Sequence, residues 1–167
     1  SCGLRVSELV NLKLSDLYFD EGFIKVEGKG NKQRLIPISP RAINEIKLYF
    51  TDRNQIEVKS GHEDFVFISL RRGKRLSRIM IFHMIKELAQ QAGITKNISP
   101  HTFRHSFATH LLEGGANLRA IQCMLGHESI ATTEIYTHID RNMLRSEIIE
   151  HHPRNIKYRK EKEELFH

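Results

Sequence analysis

The chain has no tryptophan, only two cysteines and four prolines, and no apolar run of the length a bilayer requires. A transmembrane helix takes about 20 predominantly apolar residues, so no membrane partner is expected. Cys2 and Cys123 cannot build a disulfide framework, and the expected setting is the reducing cytoplasm. No signal peptide opens the sequence. No cluster of carboxylates has the pattern that holds Mg²⁺ or Zn²⁺, so neither a metal nor another cofactor is expected.

Positive charge, by contrast, is in excess. Lys and Arg number 26 against 20 Asp and Glu, giving a net charge of +6 over 167 residues. That balance favours a polyanionic partner without saying which. The length suits one domain with a real core. Ser1 in place of a methionine leads to the expectation that the chain is a fragment of a longer protein.

Apolar residues at Val6, Leu9, Val10 and Leu12 predict a short amphipathic helix that stops near Ser15-Asp16. Three β-prone runs follow, Leu17 to Phe19, Phe23 to Glu27 and Arg34 to Ile38. Short polar turns separate them, so they predict an antiparallel meander with Lys29 near a hairpin tip and Pro37 on an edge strand. Ser39-Pro40 opens a helix with Ala42, Ile43, Ile46, Tyr49 and Phe50 inward, and Thr51 to Glu63 reads as a loop. Ser77 caps a helix running to Ala92. Ser99-Pro100 starts another that ends at Gly114-Gly115, with Phe103, Phe107 and Leu111 on its buried side. Asn117 begins a helix closed by Gly126, with Leu118, Ile121 and Leu125 inward. Thr132 or Thr133 starts the segment holding Tyr136, and Met143 to Ile149 has helical character. Arg154 to Glu164 is mostly charge and is expected to order only against a partner. The fold class expected is α+β, mainly α, with a small three-stranded antiparallel sheet.

Several residues suit phosphate chemistry. His101 and Arg104 lie three apart, on one face of a helix. A left-handed cap at Gly126 would turn the chain and present His127. Arg5 and Glu8 are also three apart, so the carboxylate can hold the guanidinium, and arginine clamps a phosphate through its planar, permanently charged fork. Lys29 sits on a glycine-flanked turn from which it could reach a groove. Tyr136 is a nucleophile only with help, because a phenol of pKa about 10 is protonated at neutral pH. Singly, each is commoner as a packing residue or a solvated charge; as a set they are unusual.

The motifs Gly3-Leu4-Arg5-Val6-Ser7-Glu8-Leu9, Gly28-Lys29-Gly30-Asn31-Lys32, Ser99-Pro100-His101-Thr102-Phe103-Arg104-His105, Leu125-Gly126-His127 and Thr133-Glu134-Ile135-Tyr136-Thr137-His138 resemble the tyrosine recombinase (phage integrase) family. The Xer subgroup is most alike, down to His152-Pro153-Arg154. The resemblance covers nearly the whole chain and departs nowhere from the family's active-site pattern. It implies that residues 1–153 are a catalytic domain cut short at its front, 154–167 a charged C-terminal tail, and that an N-terminal core-binding domain is absent.

By this resemblance Tyr136 is the nucleophile that forms a 3′-phosphotyrosyl link. Arg5, Arg104 and His127 bind the non-bridging oxygens, His101 takes the tyrosine proton and Lys29 protonates the leaving oxygen. Lys32, Arg71, Arg72, Lys74, Arg75 and Arg78 read as contacts to double-stranded DNA. Family members act as tetramers on paired sites, and the fragment is expected to be mainly monomeric without DNA and weakly active or inactive. The alternatives are a DNA-binding relative without strand exchange and a type IB topoisomerase-like enzyme. The intact residue set argues against the first, and the Gly-Leu-Arg and Leu-Gly-His contexts against the second.

Overall fold

The computed structural model describes residues 1–126 and 138–165. His127 and the segment from Thr132 that holds Tyr136 lie outside them. Helix α1 (Val6–Asn11) leads through a 3-10 turn into strands β1 (Leu17–Tyr18), β2 (Phe23–Glu27) and β3 (Gln33–Pro37). These form an antiparallel sheet in the order β1-β2-β3, so Pro37 does fall on an edge strand. Helices α2 (Pro40–Arg53), α3 (Arg78–Gln91), α4 (Pro100–Glu113), α5 (Leu118–Leu125), α6 (His138–His151) and α7 (Pro153–Leu165) follow.

The caps account for most helix boundaries. The hydroxyls of Ser39 and Ser77 accept from the amides of Ala42 and Met80, and Asn117 accepts from those of Arg119 and Ala120. Each satisfies donors that the first turn of a helix leaves open. Gly126 ends α5 with φ +67°, a conformation costly for any residue with a Cβ.

Among the described residues, two apolar clusters make the core. One is helical and centres on Phe107, Leu111, Ile121, Met124, Leu144 and Ile148 from α4, α5 and α6. The other lies over the sheet and gathers Cys2, Leu12, Ile24, Val26, Ile36, Ile38 and Val66, with Ala42, Ile43, Ile46 and Phe50 of α2 packed on it. Ile24 pairs with Ile36 and Val26 with Arg34, so Arg34 occupies the first inward position of β3.

Four expectations are corrected. Phe103 is 60% exposed, because the helical cluster takes in Phe107 and Leu111 but no residue from the first turn of α4. Leu118 is 55% exposed: in an eight-residue helix the inward face runs instead through Ala120, Ile121, Met124 and Leu125. The stretch from Thr51 begins as the last turn of α2, and Arg53 is buried there. Its Nε donates to the Val66 carbonyl, and its Nη2 to those of Glu63 and Phe65, so one side chain pins the following loop.

The charged segment after Arg154 forms α7 within this chain. Asn155 is buried and donates to the Ile149 carbonyl, and Tyr158 reaches α2, bonding Asn44 and lying beneath the Arg41 guanidinium. Helix-favouring Lys and Glu, including the Lys157–Glu161 pair one turn apart, assist it. Helix α3 contains no buried residue and shows Ile79, Phe82, Met84 and Leu88 at the surface.

Candidate active site at the seam between the two cores

The sheet cluster and the helical cluster meet at a knot of four charged side chains. Glu8 lies at its centre, with a side chain only 1% exposed. The extended backbone of Arg5 starts α1, and its amide donates to Glu8 Oε2 at 2.9 Å while its Nη1 donates to Glu8 Oε1 at 3.0 Å. One carboxylate thereby closes the helix N-terminus and holds the guanidinium, whose side chain stays 39% exposed. Arg34 approaches from the sheet with a two-pronged bond, Nη1 to Oε1 at 2.7 Å and Nη2 to Oε2 at 3.0 Å. Its Nε donates across the seam to the Met124 carbonyl at 2.9 Å.

Arg104 arrives from α4. Its Nη1 donates to the Gly3 carbonyl and its Nη2 to that of Leu125, both at 2.6 Å. Gly3 makes the first bond possible: its φ of +63° and its position against the Phe107 ring leave no room for a side chain. Guanidinium carries five donors, so both Arg5 and Arg104 keep N–H groups beyond those tied to the described residues.

The electrostatics follow from three cations around one anion. Burial opposes the charge on Glu8, but the bonds and charge of Arg34, together with Arg5, outweigh it and hold the carboxyl below its ordinary value. Burial and the repulsion of Arg5 and Arg34 bring Arg104 down to about 10, still charged at neutral pH. The knot therefore carries surplus positive charge fixed by backbone carbonyls. Such an arrangement can grip the non-bridging oxygens of a phosphodiester without reorganising.

Of the residues expected at the site, Arg5 and Glu8 bond directly, and Arg104 lies within electrostatic reach of both. Lys29 is exposed in the 3-10 turn Lys29–Asn31 between β2 and β3. That turn opens at Gly28, where an added side chain would touch Arg34 Nη1 at 3.3 Å and Glu8 Oε1 at 3.7 Å. His101 is exposed in the first turn of α4, three residues before Arg104. His127 and Tyr136 lie outside the described residues, though Gly126, immediately before His127, backs onto the Arg34 guanidinium.

None of the residues expected to contact DNA is among the four side chains of the knot. Arg71, Arg72 and Lys74 are exposed on a tight turn closed by the Ile68–Arg75 bridge, and Lys32 and Arg78 are exposed on other elements. Arg75 lies over the Phe65 ring at 4.9 Å and bonds Asn11. The residue that sequence reasoning missed is Arg34. Its signal was available in the alternation of β3, which turns an arginine inward beside Ile36.

A mainly helical fold with a small antiparallel sheet, joined by an arginine knot suited to phosphate, defines the class to which the comparisons point. The phage integrase family model matches residues 1–143, and the chain belongs to that family. It is 49% identical over 152 residues to the tyrosine recombinase XerD of Chlorobaculum tepidum, covering 91% of this chain and 50% of that protein. It is 47% identical over 154 residues to XerD of Pseudomonas aeruginosa, covering 92% and 51%. The chain thus spans about half the length of the curated relatives it matches. Among solved structures, the XerA recombinase superposes with a TM-score of 0.69 at 40% identity, over 91% of this chain and 54% of that one. The XerH recombinase bound to its difH substrate before cleavage gives 0.66 at 30% identity, over 89% and 43%.

Proposed function

We propose that this chain supplies the catalytic domain of a site-specific tyrosine recombinase that cuts and rejoins double-stranded DNA. The observation that carries the reading is that Arg104, bonded to a carbonyl 101 residues away, is brought within electrostatic reach of the Arg5–Glu8 pair. Family membership and the Xer relatives support it. So does the DNA held by the XerH neighbour.

In this mechanism the Tyr136 hydroxyl attacks the scissile phosphorus and its proton passes to His101. The bond from phosphorus to the 5′-oxygen breaks, and Lys29 gives that oxygen a proton. The products are a 3′-phosphotyrosyl link and a free 5′-hydroxyl. Attack by a 5′-hydroxyl from another strand reverses the step, so bond energy is conserved and no nucleotide cofactor is required. Arg5, Arg104 and His127 stabilise the charge on the five-coordinate phosphorus, and Glu8 keeps Arg5 in place.

Lys32, Arg71, Arg72, Lys74, Arg75 and Arg78 hold the duplex through phosphates, which makes binding salt-dependent. The working assembly is a tetramer on paired sites in the cytoplasm, and the isolated chain is mainly monomeric without DNA.

The test uses the full-length protein on a pool of nicked suicide duplexes with randomised arms, from which cleavage releases a short strand and traps the adduct. Wild type is expected to accumulate a covalent protein–DNA species. Arg104→Ala is expected to lower its rate of formation about 10²–10³-fold. An adduct formed equally well by Arg104→Ala, or none with wild type, overturns the reading.

A further inference from the structure

Resting on the recombinase reading, we infer that Arg34 is a positioning residue of the active site: it sets Glu8, and through Glu8 the Arg5 guanidinium, against the turn that leads into His127. Arg34 does not itself meet DNA. Its side chain is 8% exposed, and three of its donors are committed to Glu8 Oε1, Glu8 Oε2 and the Met124 carbonyl. Those bonds join three elements that each adjoin a reacting group. Helix α1 follows Arg5, the end of α5 leads to His127, and the β2–β3 turn carries Lys29.

The packing at Gly126 makes the link to the turn specific. A side chain there would meet Arg34 Cζ, Nε and Nη1, each at 3.1 Å, so the bare backbone of the cap and the flat face of the guanidinium lie against each other. Arg104 spans the same junction by bonding the Leu125 carbonyl, one residue from the carbonyl that Arg34 holds. Arg34 and Arg104 therefore fix two successive carbonyls at the end of α5, and the direction in which the chain leaves α5 depends on both.

A purely stabilising role is a poor explanation for such a group. Replacing a buried ion pair by apolar side chains is often neutral or favourable for stability. What apolar residues cannot supply is a planar fork that sets the carboxylate plane, and with it the direction of Arg5. Lysine at this position keeps the charge but loses the fork, which separates the two roles.

The experiment measures single-turnover cleavage by the full-length protein on a nicked duplex recovered from the adducts of wild type. Arg34→Lys is made alone and together with Arg5→Ala, with melting temperature and duplex affinity measured for each. If Arg34→Lys loses more than about 10 °C in melting temperature, cleavage is followed at about 10 °C, below the transition.

The maximal cleavage rate of Arg34→Lys should fall about 10–100-fold, as when supports behind reacting groups are removed elsewhere. Duplex affinity should change less than about threefold. In the Arg5→Ala background the same substitution should cost less than about threefold, because the group it positions is gone. A loss of equal size in both backgrounds overturns the inference, as does wild-type cleavage by Arg34→Lys. Absence of cleavage by wild type overturns the recombinase reading, and this inference with it.

Discussion

Glu8→Gln should be among the more damaging substitutions in this chain, although it changes only one oxygen to nitrogen. The carboxylate accepts four bonds between 2.7 and 3.0 Å, from the Arg5 amide, the Arg5 guanidinium and both prongs of Arg34. Glutamine can accept through one oxygen only, and its amide hydrogens would face guanidinium hydrogens. Three cations would then lie around a neutral group. Removing one partner of a buried pair costs about 3–5 kcal/mol. The half-exposed Arg5 can relax toward water, so the low end, about 3 kcal/mol, is expected. For a chain of this size that lowers the melting temperature by about 6–12 °C.

The pH dependence of that difference supplies a second arm. Glu8 titrates below its ordinary value, about 4.3, in the folded protein, so near pH 4 the unfolded chain binds more protons. Its stabilisation is fully present above about pH 4.3 and is lost as pH falls through the folded value. Thermal unfolding of wild type and Glu8→Gln between pH 3 and 8 should show curves that are far apart at neutral pH and converge in acid. A melting temperature within 2 °C of wild type at pH 7, or a gap that does not change with pH, would refute the reasoning.

Gly126→Ala should destabilise by about 1–2 kcal/mol through its positive φ alone, and more if the Arg34 guanidinium is pushed aside; calorimetry checks this, and an unchanged melting temperature would contradict it. His152 is buried against the Phe107 ring, and burial lowers its pKa to about 4 from the usual value near 6.5. Below pH 6.5 the unfolded chain takes up a proton that the folded chain refuses, so stability declines by up to about 3 kcal/mol between pH 6.5 and 4. Denaturant titrations should show that His152→Gln flattens this decline.

What was legible in the sequence was the part of the fold written in neighbouring residues. Ser39, Ser77 and Asn117 each cap a helix through bonds spanning two or three positions, and Gly126 closes α5 through its own backbone angle. The strand meander and the Arg5–Glu8 contact were readable for the same reason. Arg34 was legible only in its inward direction, which the alternation of β3 gives; its partners lie 26 and 90 residues away and were not. Arg53 was missed likewise, since its role depends on carbonyls of the loop that follows it, ten and thirteen residues on. Phe103 and Leu118 show the limit of helical periodicity, which gives the direction of a face but not how far the neighbouring helices extend along it. The order of α7 escaped because a charged helix with low hydropathy can be held by a few specific contacts, here Asn155 and Tyr158.

The knot also suggests why its parts belong to different elements. Strand β3 contributes Arg34, helix α1 contributes Glu8, and α4 contributes Arg104, so the two apolar clusters must pack in register before the cations converge. A site assembled in this way exists only in the folded chain, and packing on both sides restricts its motion.

The proposed mechanism is tested most directly by locating the protein–DNA bond. The adduct trapped on a nicked suicide duplex is digested with nuclease and protease, and the modified peptide is sequenced by mass spectrometry. The account predicts a nucleotide joined through its 3′-phosphate to Tyr136, a free 5′-hydroxyl on the released strand, and no adduct from Tyr136→Phe despite unchanged folding. A link to any other side chain, a 5′-phosphate attachment, or strand cleavage without a covalent intermediate would contradict it.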